Sequence, residues 1–151
     1  MYSHNTYDRR IQLGASRQRW KDAETLHNAG RWTGAMYMAG YAIECALCAS
    51  ICYHEDKNNF KDTKMFLNKG IQGAMMHSLT NLLQELPKLQ IVIMRGNNGK
   101  SKDAWNTITS FWQKDRLRYW DKLGNESDSK RFIESVRVIH RIILNYQGEA
   151  S

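Results

Sequence analysis

Apolar side chains recur along this chain at the three-to-four-residue spacing of helices, not at the alternation of strands. A first helix is predicted over residues 8–28, with Ile11, Ala15, Ala23, Leu26 and His27 as its apolar or small positions and Asn28-Ala29-Gly30 as its stop. Residues 32–54, WTGAMYMAGYAIECALCASICYH, are apolar or small almost all the way round a helical wheel. A helix of that kind is central and packed on several sides. Gly34 and Gly40 lower its intrinsic propensity, so both are expected where another helix crosses closely.

Residues 55–63 are polar and predict a loop, followed by a short helical piece at 64–69. A third helix over 78–94 is broken by Pro87, and its apolar run LQIVIM is assigned to helix or extended packing because a lone strand has nothing to pair with. RGNNGKSKD (95–103) predicts a loop, and a fourth helix follows at about 103–114 with Trp105, Ile108, Phe111 and Trp112 on one side. The last helix, roughly 128–146, sets Phe132, Ile133, Val136, Ile139, His140, Ile143 and Leu144 on one arc against Lys130, Glu134, Arg137 and Arg141. The expected fold is all-α, an antiparallel bundle of four to five helices.

Composition narrows this further. The 151 residues suit one domain with a core over about 8–146, and a single proline leaves too few breaks for an all-β fold. No apolar run is expected to approach the ~20 residues that span a bilayer, and the N-terminal residues lack the apolar core of a signal peptide. Cys45, Cys48 and Cys52 read as reduced thiols packed in the core, and cytoplasm is the expected location. The net charge of +7 favours anionic partners such as RNA, although no block of five like charges occurs.

Three separated pieces resemble the HEPN family. MYMAGYAIECALCA (36–49) is similar to its second-helix signature, HSLTNLLQEL (77–86) to its histidine-leucine motif, and DRLRYW (115–120) to its arginine-tyrosine element before the final helix. The resemblance covers about residues 15–146. It implies a bundle of four or more helices, commonly a homodimer, found in prokaryotic toxin–antitoxin and defence systems and often beside a nucleotidyltransferase partner. Many members are metal-independent ribonucleases, and others have no known catalytic activity. No cofactor and no membrane association are expected.

Ribonuclease members carry an arginine followed, after four to six residues, by a histidine near the start of the last helix. In that chemistry the pair, brought together across a dimer, binds phosphate and moves the proton of the 2′-hydroxyl. None of His4, His27, His54, His77 and His140 has this spacing. The nearest candidates are Arg131 and Arg137 with His140; Arg137 and His140 stand at i, i+3 and so share a helix side. His140 also falls in the apolar arc, which favours a core or interface role over a catalytic one.

Glu44 sits on the wheel among Tyr37, Gly40, Tyr41, Leu47, Cys48 and Ile51, so it is expected to be buried and paired, with Arg118 the preferred cation. A second, ligand-binding reading groups Glu44 with His77, Arg118 and Tyr119, where Arg116 and Trp120 would help hold a nucleotide. The cysteines, at i, i+3 and i+7, lack a fourth ligand, so no metal site is assigned. RGNNGKS (95–101) has the wrong glycine spacing for a phosphate loop. Three functions follow: an RNA-acting toxin or defence protein, cleaving or binding; a non-catalytic docking module for a nucleotidyltransferase-type partner; and a nucleotide-binding domain.

Overall fold

A computed structural model describes residues 6–68, 78–112 and 124–148. They form an all-α bundle: α1 (Arg9–Asn28), α2 (Trp32–His54), α3 (Lys64–Asn68), α4 (Leu79–Gln84), α5 (Pro87–Arg95), α6 (Lys100–Phe111) and α7 (Glu126–Tyr146). Among the described residues there is no strand, and an isolated antiparallel bridge joins Asp8 to Asn59. That bridge fastens the start of α1 to the 55–63 segment through Arg9 N–H to Asn58 O and Phe60 N–H to Tyr7 O, each 2.8 Å.

Side-chain caps start three of the helices. Asp8 accepts from Arg10 N at 2.8 Å, Ser78 from Asn81 N at 3.3 Å and Asn125 from Asp128 N at 2.7 Å, each satisfying an amide that has no partner inside its helix. α1 ends where expected, with Gly30 at φ 77° turning the chain into α2. Pro87 splits the predicted third helix in two and occupies the first position of α5, where its missing N–H costs nothing. The run LQIVIM is helical.

Two boundaries differ from the sequence reading. The 95–103 stretch is not all loop: Asn98 (φ 53°) and Gly99 (φ 85°) reverse the chain, and α6 is under way by Lys100. Ser101 is buried there, its hydroxyl donating to Ile93 O. Within 55–63, a 3₁₀ turn (Phe60–Asp62) buries Phe60 completely, because an aromatic in an otherwise polar stretch still gains most by leaving water.

α2 is the central helix and packs against α1, α4 and α7; α7 in turn packs against α6. By length and composition alone its 23 residues would cross a membrane, which overturns the expectation that no stretch is long enough. Its most apolar window is 83% buried inside the bundle, so its hydropathy is that of a core helix. The two glycines of α2 differ. A Cβ at Gly40 would overlap the indole of Trp112, whose Nε1–H donates to Tyr37 O at 3.3 Å. At Gly34 a Cβ would meet Leu26 at an ordinary 3.6 Å, so no close crossing explains that residue.

The seven positions predicted for the inner arc of α7 are all buried. On α1 the inward stripe is Leu13, Ser16, Trp20, Ala23 and His27, while Ile11 stands 46% exposed. Glu44 is buried, as its wheel position implied, and is engaged with a partner.

Candidate nucleic-acid interface

His140 lies near the middle of α7 and is buried between α1 and α2. Its Nε2 is 2.7 Å from Ser16 Oγ on α1, and the Ser16 hydroxyl donates its one proton to Ala42 O of α2, also at 2.7 Å. With that proton spent, the bond to His140 requires Nε2–H as donor, which fixes the neutral tautomer. Burial, reinforced by the Arg17 cation, pushes the His140 pKa down from 6.5 to about 4. Near neutral pH the ring is therefore uncharged and tied directly to α1 and, through Ser16, to α2.

Beside it a cleft of about 470 Å³ opens between α1 and α7. Arg17, Lys21, Arg137 and Arg141 line it, with Trp20 and His140 in its wall and Glu24 as its sole carboxylate among the described residues. The cations come from one turn of α1 (i, i+4) and one turn of α7 (i, i+4), the spacing that brings side chains to one helix face. Arg137 is parked: its Cζ lies 5.6 Å from the centroid of the Trp20 ring, and its Nη2 is 3.6 Å from Glu24 Oε2. Both members of that ion pair are nearly half exposed, at 49% and 42%, so the pair is weak.

Arg137 and His140 thus share one cleft, as i, i+3 spacing implied. Arg131 does not join them. It lies on the α6–α7 side, where its guanidinium sits 5.6 Å from the Phe111 ring centroid in a groove also lined by Lys100, Asp103, Glu134 and Arg137, so Arg137 borders both recesses while His140 lines only the first. Arg131 and His140 are nine positions apart, which at 100° per residue is half a turn out of phase. The second proposed cluster lies largely outside the described residues: His77, Arg118 and Tyr119 are not among them, nor are Arg116 and Trp120, leaving Glu44. Among the described residues no group of three or more His, Cys, Asp or Glu is placed to hold a metal, and Cys45, Cys48 and Cys52 are buried and form no disulfide.

Ser16, Arg17, Trp20, Lys21 and Glu24 were missed by sequence reasoning. The available signal was the 3-4-3-4 spacing of Leu13, Ser16, Trp20, Ala23 and His27, which sets the face of α1 and hence the rim on which Arg17, Lys21 and Glu24 stand. Comparison of the chain with protein families, with curated proteins and with solved structures finds no match in any of the three.

Proposed function

We propose that this chain is a HEPN-like helical domain that binds RNA in the α1–α7 cleft and does not cut it. The observation that carries this reading is the gathering of Arg17, Lys21, Arg137 and Arg141 around one recess with an aromatic wall. Cations on a rim beside an indole suit phosphate contact and base stacking together. The resemblance supplies the setting, prokaryotic toxin–antitoxin or defence systems.

The state of His140 argues against strand cleavage. A general base or acid works best with a pKa near the working pH. An imidazole with a pKa of about 4, whose Nε2–H is given to Ser16, is a poor acid and a weakened base. Its polar bonds instead hold the cleft's two walls in register.

The test uses a fluorescent single-stranded RNA of mixed sequence, with binding followed by anisotropy across a salt series. Lys21 and Arg141 are exposed, so Lys21→Ala and Arg141→Ala leave the bundle folded. Each is expected to weaken binding by about tenfold and to lower the salt slope by roughly 0.7 for each phosphate that the variant no longer neutralises. Unchanged affinity in both variants would sink the assignment. Incubation of the wild type and His140→Ala with RNA under metal-free conditions is expected to leave the RNA intact in both; cleavage by the wild type that the variant lacks would replace binding with catalysis.

A further inference from the structure

We infer that the α1–α7 cleft takes an unpaired guanine nucleotide, with Glu24 reading the base, Trp20 stacking on it and Arg137 holding its place when the cleft is empty. This rests on the RNA-binding reading above and names the nucleotide that the cleft selects.

Arg137 covers the aromatic wall of the cleft. A planar guanidinium lies over an indole face, 5.6 Å from its centroid, and its Nη2 stands 3.6 Å from one oxygen of the Glu24 carboxylate. The Watson–Crick edge of guanine carries the same chemical fragment. Its N1–H and N2–H₂ are parallel donors on a planar, stackable frame, and they match the two oxygens of a carboxylate as arginine's fork does. A base entering the cleft would thus find an indole to stack on and a carboxylate at its edge, both occupied by a group of like shape.

The other bases do not fit that edge. Adenine and cytosine each place an acceptor nitrogen beside their amino group, which would face a carboxylate oxygen lone pair to lone pair. Uracil has one N–H between two carbonyl acceptors. A carboxylate at the base's edge therefore favours guanine, whose two donors it accepts, over bases that set an acceptor against it.

Exchange is easy because the resident contact is weak. At 3.6 Å the Arg137–Glu24 pair is longer than a charge-assisted hydrogen bond, and it is half exposed. Displacing Arg137 frees a cation that joins Arg17, Lys21 and Arg141 on the rim, where the phosphate of the same nucleotide would lie. Glu24 then has a clear role in a basic site: without it, the cleft would take any anion. A recess also demands an unpaired base, so a duplex would be excluded.

Two oligoribonucleotides, one with a central guanosine and one with adenosine in its place, both otherwise uridine, are titrated against the wild type and Glu24→Gln. The wild type is expected to bind the guanosine oligomer at least about tenfold more tightly, in line with one bidentate base contact. Glu24→Gln, a change at a half-exposed position, is expected to bring the two oligomers within about twofold of each other. Guanosine 5′-monophosphate is expected to displace the bound oligomer at a concentration where adenosine 5′-monophosphate does not. Equal binding of both oligomers by the wild type would overturn the guanine assignment and leave the RNA-binding reading standing. A preference that survives in Glu24→Gln would overturn the role of Glu24. Binding of neither oligomer would overturn both readings.

Discussion

His140 shows how one side chain's environment decides its chemistry. A histidine inside the apolar arc of a helix must find a partner, and Ser16 and Ala42 supply a two-step chain of hydrogen bonds across α1 and α2. Burial, with Arg17 adding to it, holds the folded-state pKa near 4 against an unfolded value of 6.5. The unfolded chain therefore binds more protons than the folded one between those pH values. Stability from this group is full above about pH 6.5 and falls as the pH drops toward 4, by roughly 3 kcal/mol across the window. Urea unfolding from pH 7.5 to 4 checks this, and His140→Gln is expected to flatten the profile; an equal slope in wild type and variant would contradict it. The burial of His140 was legible from the arc on α7, because seven positions at helical spacing outvote one polar atom. Its partner was not legible, since Ser16 belongs to α1 and nothing in its local pattern points across the bundle.

At the scale of elements, the two glycines of α2 separate close contact from simple tolerance. Gly40→Ala forces the Trp112 indole away from the helix and breaks its bond to Tyr37 O, an overpacking expected to cost about 1–3 kcal/mol. Gly34→Ala meets Leu26 at an unstrained distance and is expected to stabilise by roughly 0.5–1 kcal/mol, because alanine holds a helix better than glycine. Thermal unfolding of the two variants checks both signs; two changes of the same sign would refute the distinction. The all-round apolar character of α2 and the full arc of α7 were readable because their periodicity runs over many turns. The start of α6 was not. Two consecutive positive-φ residues, Asn98 and Gly99, make the turn so tight that Lys100-Ser101-Lys102, polar as a loop, are already helical. Arg131 and His140 stand half a turn out of phase on α7, which their spacing alone could have shown.

For the whole molecule, the core is organised around one helix that carries all three thiols. Cys45, Cys48 and Cys52 are buried, and burial pushes the Cys52 thiol up to about 12 even though Arg9 pulls the other way. A disulfide reagent at pH 8 is expected to modify these thiols at the rate of global opening, faster with added urea in step with loss of stability; prompt reaction of the native protein would show that α2 is reached by local opening. The fold class and its central helix were legible in the sequence because burial leaves a compositional trace. The cleft was less so, because it is made where α1 meets α7, more than a hundred residues apart. That separation bears on how the chain is made. A ribosome releases α1 and α2 long before α7, so the young chain carries an apolar central helix with one flank bare and Ser16 still waiting for His140. An apolar flank left bare in this way is the kind of surface that makes a nascent chain prone to aggregation, and the packing of α7 covers it.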